Sequence, residues 1–336
     1  MKSLLYIGNK LSDHGYTSTS IETLGTFLEG EGFHVYYASS KKNKVLRMLE
    51  MIVKTIKYSK NVDYVLIDTY STKNFWYALV ISQLCRILNL KYIPNLHGGN
   101  LPNRILRSRF FSRLIFNNAY INIAPSYYLF EAFKKNGYTN LKYIPSTIET
   151  QLYTTPSKEF KAPKILWVRS FAKIYNPLMA VKVFIKIKEI FPEAKISMVG
   201  PKKDESHIKT LKYVKKNNVE VVFTGKLSKK EWIKLSKEYN VFINTTHFDN
   251  TPISVIEALA LGLPVVSTNV GGIPYLLEHN VNALLVNDDD ITEMTNQINR
   301  LFTEPNLAQN LAEKGKESIK IFDWELVKKQ WIELLI

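Results

Sequence analysis

Two carboxylates, Asp249 and Glu257, are separated by seven residues in the most chemically suggestive stretch of the chain, Asn240 to Val286. Between them, Thr251-Pro252 reads as a helix start, with a hydroxyl at the N-cap and proline at the first helical position. The spacing predicts a helix over Ile253–Leu261, stopped by Gly262 with Pro264 beyond it. A helix that opens just past a strand presents free N–H groups and a positive dipole end, an anion site suited to a diphosphate. Glu257 falls on the helix face of Ile253 and Ser254, amid Ile256, Ala258 and Leu259. A carboxylate buried there must be paired or hydrogen-bonded, and a ribose diol would supply two donors. Further on, Gly271-Gly272 lets the backbone come close to a ligand.

Three other places carry reactive types. Arg169 and Lys173 follow the apolar run Ile165–Val168, and two bases in a loop between strand and helix suit a diphosphate leaving group. His97 ends another apolar run beside Gly98-Gly99, and His14-Gly15-Tyr16-Thr17 follows the first one. The remaining histidines (His34, His207, His247, His279) read as surface or packing residues, although His247 borders the Asp249 loop. Asp288-Asp289-Asp290 contains a formal Asp-x-Asp, but a helix start at Ile291 explains it as an N-cap, and no metal site is expected.

These residues need a frame. Short β-branched or aromatic runs alternate with helical patterns: Leu4–Ile7, His34–Ala38, Tyr64–Asp68, Tyr92–Asn95, Tyr120–Ala124 and Leu141–Ile144. The pattern restarts with Ile165–Val168, Lys195–Val199, Glu220–Thr224, Val241–Asn244 and Pro264–Ser267. Near-continuous apolar strands with helical spacers read as parallel sheets covered on both faces. The expected fold is therefore α/β, two doubly wound Rossmann-like domains with ligands bound beyond the carboxyl ends of the strands. The divisions are 1–153 for an acceptor-side domain, 154–163 for a polar linker with two prolines, and 164–318 for a donor domain. Residues 319–336 form a C-terminal helix that packs on either domain.

The stretch after residue 240 resembles the donor-binding half of family 4 of the retaining glycosyltransferases, which have the GT-B fold with two domains facing across a cleft. The family pattern is an acidic residue, seven others, Glu-Ala, a small-residue helix, Gly-x-Pro-Val-Val and a Gly-Gly loop. Here Asp249, Glu257-Ala258, Gly262-Leu263-Pro264-Val265-Val266 and Gly271-Gly272-Ile273-Pro274 reproduce it in register. The resemblance implies that Glu257 holds the ribose hydroxyls and that Asp249 meets the donor sugar. Thr251, Pro252, Ile253 and Ser254 would complete the donor site with Gly271 and Gly272. Arg169 and Lys173 would neutralise the pyrophosphate, His97 would lie close to the donor sugar, and Gly15 would belong to a loop closing on phosphate. Departures are Asp249 for the usual Glu, Asn250 to Ile253 for Gly-Phe-Gly, and Lys173 four positions after Arg169 where the family has five.

Composition sets the bounds. Apolar residues make up 46% and charged residues 22%, as in a globular protein with a sizeable core. No run approaches the ~20 apolar residues of a membrane span. The single cysteine, Cys85, lies in a helical apolar pattern and reads as core. The start lacks a secretory pattern, so a cytoplasmic protein is expected. The net charge is +15, and residues 1–150 hold 19 Lys/Arg against 9 Asp/Glu. Lys41 to Lys60 forms a basic amphipathic pattern, and Arg104, Arg107, Arg109 and Arg113 form a second cluster. Both suit an anionic membrane surface, whereas no nucleic-acid-binding module is visible.

The function expected is a retaining, metal-independent glycosyltransferase in cell-surface polysaccharide or glycolipid assembly. Its partners would be a nucleotide-sugar co-substrate, a UDP-sugar first, and a sugar or lipid-linked saccharide acceptor. A nucleotide-sugar epimerase of similar fold and a non-catalytic nucleotide-binding protein are the alternatives.

Overall fold

A computed structural model of the chain describes residues 2–15, 18–153 and 159–336. The first five of the expected linker residues, 154–158, lie outside the described residues, as do Tyr16 and Thr17. Contacts divide the chain into two compact units, Met1–Thr147 with Trp324–Ile336, and Ile148–Asp323.

The first unit holds a parallel sheet of β1 (Ser3–Ile7), β2 (His34–Ala38), β3 (Tyr64–Tyr70), β4 (Lys91–His97), β5 (Asn122–Ala124) and β6 (Leu141–Tyr143). The strand order is β2-β1-β3-β4-β5-β6, so the chain reverses direction across the sheet between β1 and β3. Residues such as Leu4, Leu5, Tyr6 and Ile7 are all buried because both faces are covered. One face packs α2 (Lys44–Tyr58), α3 (Phe75–Ile87), α4 (Leu101–Arg107), α5 (Arg109–Phe116) and α6 (Tyr127–Lys135) around Met51, Ile81, Ile115 and Phe133. The opposite face packs α1 (Ser20–Gly30), opened by a Thr19/Glu22 capping box.

The second unit repeats the plan with β7 (Lys164–Val168), β8 (Lys195–Val199), β9 (Val222–Gly225), β10 (Val241–Asn244), β11 (Val265–Thr268) and β12 (Leu284–Val286). All pair in parallel, in the order β12-β11-β10-β7-β8-β9. The reversal lies between β7 and β10, the place where doubly wound sheets bind ligands. Around them run α7 (Pro177–Ile190), α8 (Ser206–Lys216), α9 (Lys229–Ser236), α10 (Ile253–Ala260), α11 (Ile291–Thr303) and α12 (Leu307–Ser318).

Several details differ from the sequence reading. The short strand β12 was not expected. Residues Ile148 and Tyr153, placed there in the first domain, are buried in the second unit's core beside Val255 and Phe322. The last helix, α13 (Trp324–Leu335), belongs to the first unit. Its Trp324, Val327, Trp331 and Leu335 bury against the α1 face of the first sheet, and Trp324 stacks on Phe27 at 4.8 Å. Cys85 is fully buried. Among the described residues, no helix is long and apolar enough to cross a membrane.

Candidate functional site

In the second unit, the loops after β7 and β10 meet at the sheet's reversal point. The Arg169 amide bonds the Val199 carbonyl at 3.0 Å, which fixes where the side chain leaves β7. Gly200 makes that approach feasible: a Cβ there would stand 1.8 Å from the Arg169 carbonyl oxygen. The guanidinium then forms an ion pair with Asp249 and lies over the Tyr175 ring at 4.5 Å. Its Nε is buried and has no hydrogen-bond partner among the described residues. Burial lowers the guanidinium pKa, with Tyr175 and then Glu257 opposing the shift; a guanidinium is not deprotonated in proteins.

The Asp249 loop is held by the glycine pair. Gly272 N–H donates to the Asp249 carbonyl at 2.8 Å, and a Cβ on Gly272 would fall 1.8 Å from the Asn250 carbonyl oxygen. Gly271 is left-handed (φ 56°), and a Cβ there would fall 2.3 Å from the Asp249 carbonyl oxygen. The pair thus allows a close approach of one protein loop to another. A correction concerns the helix start. Pro252 itself is the N-cap of α10, and its carbonyl accepts from Val255 and Ile256, while the Thr251 hydroxyl makes no capping bond. With the boundary one residue later than expected, no hydroxyl is at the N-cap. Ser254 Oγ, in the first turn, is buried with no hydrogen-bond partner among the described residues.

Glu257 lies further along α10, only 6% exposed. Its Oε1 accepts from the Tyr153 hydroxyl at 2.6 Å and pairs with Lys229 Nζ at 3.4 Å. Both contacts fall on the same oxygen, Oε1. Burial raises the Glu257 pKa, against the opposing pull of Lys229, Tyr153 and Arg169. Tyr153 and Lys229 were missed in the sequence. Lys229 had a weak signal, a Ser228/Glu231 capping box that starts α9 just past β9, whereas Tyr153 had none.

The raised pKa has a measurable consequence. A carboxyl whose folded pKa lies above its unfolded one adds stability below the unfolded value, and that stability is lost as pH rises through the folded value. The stability difference between wild type and Glu257→Gln should therefore fall as pH is raised upward from the ordinary carboxylate range. Paired urea melts across pH check this, because every other titration is common to both proteins. A difference independent of pH contradicts it.

Lys173 begins the short turn after Arg169; its backbone amide donates to Asp204 and its side chain is exposed. The structure also places Asp290 as the N-cap of α11, accepting from Glu293 at 2.8 Å, and pairs His247 with Asp288 at 2.8 Å.

In the first unit, His97 ends β4 and its Nε2 donates to Asp68 Oδ1 at 2.9 Å. The same oxygen receives the Tyr6 hydroxyl at 3.0 Å and Asn95 Nδ2 at 3.4 Å, and Ser20 joins both donors. Burial, with the Asp68 charge next, pushes the Tyr6 phenol well above its ordinary value, so it remains a donor. Asp68 lies in the C-terminal half of β3, and Gly8 after β1 leaves room for it: a Cβ on Gly8 would be 2.7 Å from Oδ2. Tyr70 stacks on the His97 ring at 5.1 Å. Asp68 was missed as a site residue, yet a lone carboxylate at the end of the apolar run Tyr64–Ile67 was visible. Gly15 is left-handed (φ 81°) and closes a turn onto Ser12.

A family description, Glycosyl transferases group 1, matches residues 155–318. The match falls within the second unit, which is thereby similar to the group 1 glycosyltransferases. The chain is 25% identical over 313 residues to an uncharacterized glycosyltransferase of Methanocaldococcus jannaschii, covering 91% of this chain and 86% of that protein. It is 28% identical over 159 residues to N-acetyl-alpha-D-glucosaminyl L-malate synthase of Bacillus anthracis, covering 46% of this chain and 40% of that one. A Haemophilus influenzae relative is likewise matched over less than half its length, 44%. Among solved structures, Anabaena HepE in complex with UDP and glucose is similar with a TM-score of 0.80 at 17% identity, over 100% of this chain and 99% of that one. The chain thus has two Rossmann-like units of the GT-B type.

Proposed function

We propose that the chain is a glycosyltransferase that moves a sugar from a nucleotide-sugar donor to a hydroxyl acceptor, with retention of anomeric configuration. One observation carries the reading. Around the reversal point of the second sheet, Arg169 Nε and Ser254 Oγ are buried without hydrogen-bond partners among the described residues, and the Tyr153 and Lys229 contacts of Glu257 both fall on one carboxylate oxygen. Buried polar groups left unpaired are costly, and a diphosphate with a ribose diol offers partners to all three side chains. The group 1 match over 155–318 supports the same reading. A UDP-sugar is the proposed donor, in line with the UDP bound by HepE.

Glu257 accepts from the ribose hydroxyls through its other oxygen. Arg169 and Lys173 meet the diphosphate together with the first turn of α10, and their charge stabilises it as it leaves. Asp249 serves the sugar hydroxyls while paired to Arg169, and His97 is the proposed sugar contact from the first unit. The bond from the anomeric carbon to phosphate oxygen breaks, the acceptor oxygen bonds to that carbon, and a donor phosphate oxygen takes the acceptor's proton. With bases and a helix start carrying the charge, the proposed chemistry needs no metal, and a chelator should leave the rate unchanged. The acceptor is a sugar or lipid-linked saccharide, in cell-surface polysaccharide or glycolipid assembly.

NMR of the product formed from a UDP-sugar tests the reading. An unchanged anomeric configuration in a new glycoside supports it, and an inverted one ends the retention. A donor isomerised without acceptor makes the protein an epimerase, and nucleotide binding without turnover makes it a binding protein.

A further inference from the structure

We propose that the outer face of α2, α3 and α5 docks on an anionic membrane surface. The inference stands on the first unit alone and is independent of the donor reading. Its starting point is the way α2 is seated. A surface helix ordinarily turns its apolar stripe to the core. In α2, Met48, Met51, Ile52 and Tyr58 face the core, with Arg47 and Thr55 buried beside them, yet Val45, Leu46, Leu49, Val53 and Ile56 are exposed. Val45 is 68% exposed and Val53 60%. The inward polar groups are satisfied: Arg47 donates to the Lys41 and Lys42 carbonyls and to Asn9 Oδ1, and Thr55 to the Met51 carbonyl. The helix is therefore fully bonded and packed on its inner side while carrying a second apolar face outward.

The apolar surface continues across the neighbouring helices on the same side of the sheet. On α3, Trp76, Val80 and Ile87 are exposed, and on α5 Phe110 is 69% exposed. Trp76 meets Phe111 edge-on at 5.2 Å, which joins the two helices' outer surfaces. An exposed apolar area of this kind marks an interaction site.

Charge identifies the occupant. Lys41, Lys42, Lys44, Lys57 and Lys60 flank the α2 stripe, all exposed and with no ion pair among the described residues. Arg107, Arg109 and Arg113 do the same beside Phe110 and Phe111. A second copy of this chain on this face would bring like charges together. A bilayer with anionic headgroups matches both features, because apolar side chains enter the acyl boundary while lysines stay at headgroup level. Each lysine near such a surface is worth roughly a fivefold change in binding.

The full chain is sedimented, without nucleotide, with vesicles of phosphatidylglycerol and phosphatidylcholine, and with phosphatidylcholine alone. Binding to the anionic vesicles only, weakened by salt, is expected. Leu49→Asp with Val53→Asp should weaken it at least tenfold, and Lys57→Glu with Lys60→Glu by roughly 25-fold. Lys215→Glu with Lys216→Glu, on exposed positions of α8, should leave it unchanged. A measurement on the wild type needs no variant to fold. Trp76 is 41% exposed while Trp167, Trp232, Trp324 and Trp331 are buried, so brominated lipid should quench Trp76 fluorescence. Absence of binding to anionic vesicles overturns the proposal, as does binding that neither double variant weakens. A dimer in solution that Leu49→Asp dissociates also overturns it, by putting a second copy on this face. Failure here leaves the transfer reaction standing, since no nucleotide enters the assay.

Discussion

Replacing Arg169 with alanine is expected to lower kcat by about a hundredfold to a thousandfold, the cost typical of removing one donor aimed at developing negative charge. Several contacts hold this side chain in place. Its backbone is pinned to Val199, its guanidinium is packed over Tyr175, and Asp249 is its ion-pair partner. The loss should appear mainly in kcat, because charge on the diphosphate grows as the glycosidic bond breaks. Arg169→Lys should not restore it, since an ammonium cannot reproduce the planar fork that engages Asp249 and a phosphate together. Removing Arg169 also leaves the Asp249 carboxylate, 16% exposed, without its cation, so some stability is lost as well. Steady-state kinetics with thermal melts of both variants separate the two effects. A kcat within a few-fold of wild type would remove Arg169 from the proposed chemistry.

The Gly272→Ala variant is expected to lose about 3 kcal/mol of stability or more, the upper end for forcing atoms into a packed site. The added Cβ would meet the Asn250 carbonyl oxygen at 1.8 Å, and that obstacle is backbone, which cannot rotate away. The strain falls on the loop that carries Asp249, so donor binding should weaken even in protein that still folds. Gly30→Ala is the matched control: it lies in α1 with nothing within 4 Å of the added methyl, and alanine is the better helix former by about 0.5–1 kcal/mol. Urea midpoints of the two variants are the measurement. Equal midpoints would mean that the loop of residues 248–250 moves aside freely.

Much of the frame could be read from the sequence, because strands buried on both faces are written as unbroken apolar runs such as Leu4–Ile7 and Val241–Asn244. The strand β12 was lost because Leu284–Val286 is three residues long and follows a stretch of turns. Thr251 looked like a cap from its type and place, but Pro252 supplies the first accepting carbonyl and the hydroxyl is not needed. Long-range partners left no local trace: Tyr153 reaches Glu257 from 104 positions away, and Asp68 reaches His97 from a different strand. Periodicity found the amphipathic character of α2, yet it gave no sign that apolar residues lie on an outward face as well as the inward one.

The central claim is that the second unit holds a nucleotide through Glu257. Calorimetric titration of UDP, GDP, ADP and CMP into wild type and Glu257→Gln tests it directly. The glutamine keeps the shape of the side chain but loses its charge, and a hydrogen bond to a charged group is worth about 1.5–3 kcal/mol. One nucleotide, UDP, should bind wild type, with affinity at least about tenfold weaker in the variant. Folded wild type that binds none of the four, or a variant that binds UDP as tightly as wild type, would contradict the account.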